Sequence, residues 1–410
     1  MKISAAGCCL IDYVYAKVSY GKPGFQRFLS RKPGDGGIIQ GGLVFTEDLS
    51  ARFGMELQDI LKEILGSAEP DTVNLGGPAV ISLINAAQLL HGRDVVCRFH
   101  ACVGNDTTGQ LIRGFLESAP LESVVMTDAL APSPTTIVLA DPSCHGGNGE
   151  RSFLNTIGAA GRMLPGDLPQ DFFQSDIVLF GGTALTPALH DGLASLLGRA
   201  KSAGAITVVG TVYDFRSQKR DPEAPWPLGV PDACKNIDLL VTDAVEALRL
   251  SGAADLASAA RNFMYRGVGA LVITNGEQDL LAWSGGRVFS PLELGSYPVS
   301  AMVQSILKKE PSRLADTTGC GDNFLGGLVA SLAMQLGGDT ASREGDLASL
   351  EVGRPSLEEA LSWAAASGGF SCFYAGGLYR EALAGEKLQK IQPLAEAYQA
   401  GLGESKGGES

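Results

Sequence analysis

Seven consecutive residues, Asp316-Thr317-Thr318-Gly319-Cys320-Gly321-Asp322, hold the densest chemistry of this chain. Asp316 to Thr318 are polar and turn-prone. Gly319-Cys320-Gly321 make a compact turn with little side chain to block a ligand. Downstream, Phe324, Leu328 and Leu332 repeat every four residues, as do Leu325, Val329 and Ala333, so a buried helix is predicted from Asp322. A glycine turn feeding a helix leaves backbone N–H groups without partners, all pointing one way, and the helix dipole adds partial positive charge there. Such a place binds phosphate. A carboxylate beside bound phosphate is repelled, so Asp322 needs a reason. One is proton abstraction from a hydroxyl that attacks phosphorus. The other is plain architecture, an acidic first turn that complements the dipole.

The elements that would position this turn follow from hydrophobic patterning. Residues 3–12 (ISAAGCCLID) read as one buried strand ending at Asp12. In 13–46, YVYAKVSY alternates and GGIIQGGLVF is a second strand-like run, which predicts a small sheet apart from the core. Leu57, Ile60, Leu61, Ile64 and Leu65 mark an amphipathic helix ended by Gly66. Gly76-Gly77-Pro78 opens another helix, with proline at its first position and glycines that let a ligand approach the backbone. Residues 135–155 read as two strands around a Gly/Pro-rich loop. From 176 apolar runs at 176–182, 205–210, 237–242 and 270–276 alternate with helical stretches such as 187–203 and 254–266. That rhythm predicts an α/β fold, a doubly wound, mostly parallel sheet flanked by helices. Ligands then sit at the carboxyl ends of the strands. The Gly/Asp/Ser-rich 335–357 reads as a surface insertion, and the polar tail 401–410 as disordered.

Composition narrows the partners. The 410 residues suffice for one large domain or two modest ones, with 45% hydrophobic residues and a net charge of −13. That balance argues against nucleic acid or an anionic membrane surface as main partner. No run of 18 or more apolar residues occurs, and the apolar stretch before Cys8 is too short for a signal-peptide core. Eight scattered cysteines with no C-x-x-C, and four histidines with no H-E-x-x-H, suggest reduced thiols in a cytoplasmic protein. No G-x-G-x-x-G follows a strand and no G-x-x-x-x-G-K-[ST] occurs, which disfavours dinucleotide oxidoreductases and P-loop enzymes.

The run D-T-T-G-C-G-D-N-F at 316–324 resembles the C-terminal signature of the ribokinase/pfkB family of sugar and nucleoside kinases. The resemblance extends in order over about residues 1–390, in a layout similar to the adenosine-kinase branch. It implies a ribokinase-like fold with a small β lid, placing 1–12, 47–134 and 158–400 in a large catalytic domain and 13–46 with 135–157 in the lid. It implies ATP and Mg²⁺, a small sugar or nucleoside acceptor, and a homodimer through the lid as some relatives form. Carried over residue by residue, Asp322 is the base and Gly319, Cys320 and Gly321 form the anion hole. Asp12, in a Gly7-to-Asp12 pattern, and Gly76-Gly77 hold acceptor hydroxyls. The family's Gly pair is followed by a substrate-binding Asn; Ile81 stands near that place here. Asn85, about one turn further, is either its substitute or a helix-interior Asn facing solvent.

The resemblance also assigns the nucleotide side. The family's N-x-x-E becomes Asp243 and Glu246, with Glu246 and the added charge of Asp243 acting on Mg²⁺ through water; the same residues suit a helix capping box. Thr274 and Gly276 match its T-x-G near the ATP phosphates. Asp316 and Thr318 are candidates for a monovalent cation such as K⁺, together with the turn at 371–377. Asp214 and Arg216 fit an Asp–Arg pair loosely. Gly104, Asp106 and Gly109 match a strand–helix unit with a structural role. Arg151, in a Gly-Glu-Arg run on the second hairpin, is placed either against a phosphate or in solvent. The missing Asn and the Asn-to-Asp change keep open an alternative from another class, a non-catalytic ligand-binding or regulatory protein.

Overall fold

The computed structural model describes residues 1–32, 34–144, 149–337 and 353–407. Among them the strands form two sheets. The large one has nine, in the order β14 (Leu292–Tyr297), β13 (Gln278–Ser284), β12 (Ala270–Asn275), β11 (Leu239–Asp243), β10 (Ile206–Gly210), β9 (Ile177–Gly181), β1 (Lys2–Gly7), β5 (Val96–Gly104) and β6 (Glu122–Asp128). Neighbours from β12 to β6 run parallel; β13 and β14 close one edge as antiparallel hairpin strands. The central strands are apolar on both sides because both faces are covered. One face packs against the helices Pro78–Leu89, Cys320–Gly337, Leu357–Ser371 and Glu386–Gly407. The other carries Phe172, Phe173, Leu193, Leu197, Ala260 and Phe263. This is the doubly wound, mostly parallel arrangement that the strand–helix rhythm predicts.

The smaller sheet has five strands, β3 (Leu43–Phe45), β8 (Glu150–Thr156), β7 (Thr135–Asp141), β2 (Leu10–Tyr15) and β4 (Thr72–Gly76), in that order. Its core is built from Tyr20, Phe25, Phe28, Ile38, Leu49, Ile60, Leu139 and Leu154.

The structure differs from the expected boundaries in four places. Residues 3–12 are two strands, because the chain leaves the large sheet after Gly7 and enters the small one at Leu10. The small sheet therefore draws on 10–76, including the helices Thr46–Phe53 and Leu57–Leu65 at its core, where 13–46 was expected. Of the two runs within 13–46, only Tyr13–Tyr15 and Leu43–Phe45 are strand; between them lie a short helix and one isolated bridge, Leu29 to Ile38. The final helix continues to Gly407, into the tail expected to be disordered. The surface insertion expected at 335–357 lies mostly outside the described residues.

Candidate active site

The turn leading to Asp322 is fixed by glycine contacts. Gly319 has φ +78°, and a Cβ there would run into the Cα of Gly377. The helix starts at Cys320, two residues before the expected start, so the turn itself is Thr317–Gly319. Cys320 N–H donates to the Thr317 carbonyl at 3.3 Å, and Asn323 N–H begins the helical ladder on the Gly319 carbonyl at 2.9 Å. The N–H groups of Cys320, Gly321 and Asp322 thus form the helix's first turn, ahead of that ladder. The thiol of Cys320 turns away, 3.6 Å from the Cys372 sulfur and accepting from the Ser371 hydroxyl at 3.1 Å. The Cys372 contact and burial push it up, so this residue offers an N–H rather than a nucleophilic sulfur.

Asp322 is partly buried, not sealed, and burial pushes its carboxyl up to about 6. It lies within electrostatic reach of two other acids. Asp12, on β2, is raised to about 7 by burial first, opposed by the Thr136 hydroxyl and reinforced by the charges of Asp322 and Asp316. Glu246 is raised to about 7 by burial, then by Asp243, with Asp322 adding. Asp12 and Glu246, from two other segments of the chain, therefore both lie within electrostatic reach of the Asp322 carboxyl.

The glycines around them allow close approach. A Cβ at Gly76 would strike the Asp12 carboxylate, so this glycine leaves that carboxylate room beside β4. Gly77, at φ +117°, precedes the helix and would strike the Cys8 carbonyl where the chain changes sheets.

Further along the large sheet, Asp243 ends β11 and caps the next helix. Its side chain accepts from Glu246 N–H at 2.7 Å, while Glu246 accepts from Asp243 N–H at 3.4 Å, a reciprocal capping box. The Thr211 hydroxyl also donates to Glu246. Glu246 is buried and Asp243 exposed. Oxygen donors of this kind fit a hard divalent cation held through water. Thr274 pairs across the ladder with Asp243. Gly276, at φ +61°, sits in the turn between β12 and β13, where its conformation serves the hairpin.

Two expectations change. Asn85 does not face solvent: it is buried, and its amide donates to the Asn323 carbonyl at 2.7 Å. Arg151 is not merely solvated. Its guanidinium crosses from the small sheet to Asp316 at 2.8 Å and Thr318 at 3.2 Å. Asp316 also accepts from the N–H groups of Thr317, Thr318 and Gly376 at 2.7, 3.0 and 3.2 Å. Burial raises this carboxyl, yet the Arg151 bond and these N–H groups hold it below its ordinary value. The Asp316–Thr318 pair thus already holds a cation belonging to the chain, and it does not fit a separate monovalent ion in this arrangement.

Other motif residues are architectural. Asp106 caps its helix and binds Ser133 through N–H and hydroxyl, both within 2.7 Å. Asp214 caps the helix Phe215–Arg220, and Arg216 pairs with Asp191 at 2.6 Å. Among the described residues no helix is long and apolar enough to cross a membrane.

The model for the pfkB family carbohydrate kinases matches residues 62–379. The chain belongs to this family. No curated protein matches it in sequence. Solved structures do. An adenosine kinase from Anopheles gambiae, in complex with P1,P4-di(adenosine-5) tetraphosphate, is 18% identical with TM-score 0.63, covering 91% of this chain and 96% of its own. A putative ribokinase II from E. coli, with ATP and Mg²⁺, is 17% identical with TM-score 0.60, over 96% and 99%. A probable sugar kinase from Rhizobium etli CFN 42 is 17% identical with TM-score 0.65, over 96% and 98%. At these identities the likeness establishes a shared fold across nearly the whole chain.

Sequence reasoning missed several groups of this pfkB site. Asn323, next to Asp322, joins the Gly319 and Gly377 carbonyls at 2.9 and 2.8 Å. Tyr374 and Lys387 both donate to its side-chain oxygen, at 3.2 and 2.8 Å. Asn323 was legible only as the neighbour of a motif residue; nothing in the charged stretch around Lys387 signals burial.

Proposed function

We propose that this pfkB-family chain transfers the γ-phosphoryl group of ATP to a hydroxyl of a sugar or nucleoside. The observation that carries the proposal is Asp322: a carboxyl raised to about 6, partly open, third in a helix whose ladder begins only at the Asn323 N–H. A base of that proton affinity is ionised at neutral pH and still takes a proton from an alcohol in the transition state. The N–H groups of Gly319, Cys320 and Gly321 receive the charge that grows on the transferred phosphoryl oxygens. Asp12 orients the acceptor hydroxyl, with Gly76 and Gly77 giving it room. The small sheet, joined to the turn by Arg151 and Asp316, covers the acceptor and excludes water.

Mg²⁺, when bound, supplies charge neutralisation across the nucleotide phosphates; Glu246 and Asp243 would hold it through water, with Thr274 beside them. Potassium dependence is not part of the reading, because Arg151 occupies its candidate carboxylate. A cytoplasmic location and a homodimer through the small sheet, whose outer strands are β3 and β4, belong to the same proposal. Sedimentation tests the dimer.

A second reading, a ligand-binding or regulatory protein on this fold, is favoured by one observation: Ile81 replaces the family's Asn, and Asn85 is turned into the core. The test separates them. ADP release is measured with ATP, Mg²⁺ and a panel of sugars and nucleosides. Acceptor-dependent ADP formation supports the kinase; saturable binding of a panel member without turnover supports the binder.

A further inference from the structure

A lysine sealed inside a protein costs several kcal/mol unless something holds it, and Lys387 is only 1% exposed. Its ammonium donates to Asn323 Oδ1 at 2.8 Å and lies over the rings of Tyr374 and Tyr379, 5.8 and 5.7 Å from their centroids. Burial pulls the Lys387 amine down to about 7, opposed by the charge of the Glu381 carboxylate, which also accepts from the Lys387 backbone N–H at 2.7 Å.

Asn323 is the point where this charge meets the proposed anion hole. Its oxygen receives two donors, Lys387 and Tyr374, so its amide nitrogen must face the opposite way. There it donates to the carbonyls of Gly319 and Gly377. Its own backbone carbonyl is tied to Asn85. An ammonium has no acceptor, so it fixes which end of the amide faces it. A trans peptide holds C=O and the next N–H antiparallel. Pinning the Gly319 carbonyl therefore fixes the direction of the Cys320 N–H, which here meets the Thr317 carbonyl at a long 3.3 Å, and the amine behind the helix start, when protonated, adds to the field that the dipole supplies.

We infer that Lys387 is a positioning residue for phosphoryl transfer, acting through Asn323 to set the Gly319–Cys320 peptide of the anion hole. The inference rests on the kinase reading, and its test keeps the two apart. Lys387→Met keeps the volume and removes the ammonium. With adenosine and D-ribose as acceptors, kcat is expected to fall roughly 10–100-fold, with KM for ATP and acceptor within about twofold. The unfolding midpoint should stay or rise, since a buried charge is replaced by an apolar chain. Independently of any acceptor, calorimetry should show unchanged affinity for ADP alone and about tenfold weaker affinity for ADP with aluminium fluoride, a mimic of the transferring group. In Lys387→Ala, methylammonium chloride should restore part of the lost aluminium fluoride affinity.

Wild-type kcat and wild-type aluminium fluoride affinity in Lys387→Met would overturn the inference. So would losses that follow a lowered unfolding midpoint without recovery by methylammonium. Asp322→Asn is assayed beside them. If it turns over normally, the kinase reading itself fails; if it is inactive while Lys387→Met is unimpaired, only the positioning role fails.

Discussion

Replacing Asp322 by Asn should harm turnover and help the fold, and both effects have magnitudes. Asp322 has an ordinary carboxyl value of 3.8 and a folded value of about 6. At about 1.4 kcal/mol per pH unit that gap is about 3 kcal/mol. Because the carboxyl is partly open to solvent, screening reduces it to about 1–2 kcal/mol. The native state binds this proton more tightly than the unfolded chain does. The wild type is therefore favoured at this position below pH 4, and loses that contribution as pH rises from 4 through about 6. The Asn variant carries no such loss. In urea unfolding it should exceed the wild type by about 1–2 kcal/mol at pH 8 and by little at pH 4. At the same time kcat should fall roughly 10²–10⁴-fold, the usual weight of a general base, with ATP affinity kept. The activity measurement is coupled ADP release. Near wild-type turnover would remove Asp322 as the base. A stability difference equal at both pH values would show that its environment does not raise its proton affinity.

Three other outcomes follow from the same geometry. With Asp322 raised to about 6 and Asp12 and Glu246 to about 7, kcat/KM should climb with pH along an acid limb between those values and level off above; a flat profile from pH 5 to 8 would contradict the base assignment. Gly319→Ala forces a side chain at φ +78° into Gly377, so it should lose at least about 2 kcal/mol of stability along with activity, seen by urea titration; a silent substitution would mean the turn is not tight. Arg151→Met removes the cation from Asp316; for a partly exposed pair worth about 0.5–1 kcal/mol, acceptor KM should rise about two- to fivefold with kcat little changed, and an unaltered KM would show that the small sheet is not tied down there.

The parallel sheet and the Asp322 turn were legible because their signals are local. Apolar runs at 176–182 and 205–210 became β9 and β10, and a glycine turn before a four-residue repeat became the helix Cys320–Gly337. The capping box at Asp243 and Glu246 was equally local, three residues apart. What the sequence did not show were two partners far along the chain. Arg151 finds Asp316 across 165 residues, and Asn85 finds Asn323 across 238. A lone Arg on a hairpin and a lone Asn on a helix carry no trace of those partners. Residues 3–12 misled for another reason: the apolar run continues through Cys8-Cys9 while the chain changes sheets, and continuity of hydrophobicity does not report which sheet a strand joins.

The convergence at this site also explains why its residues look costly one by one. Asp12, Glu246 and Asp322 each give up charge on burial, and each makes the fold less stable at neutral pH than an apolar side chain of similar size would. Hydrogen bonds to Asp12 and Glu246 offset this in part, but of the four acids Asp316 is the one held below its ordinary value, and its guanidinium comes from the other sheet. A protein selected for stability alone would neutralise or separate such groups. Keeping three raised carboxyls beside a turn of aligned N–H groups is intelligible if their partners arrive with the substrates. On the proposed reading separate acceptor hydroxyls would donate to Asp12 and Asp322, and the cation that travels with the nucleotide would face Glu246. Binding then relieves the burden each carboxyl imposes on the empty protein, and saturation with ATP, Mg²⁺ and a true acceptor should raise the unfolding midpoint more than the sum of their separate effects. Strict additivity would mean that the three carboxyls do not share one site.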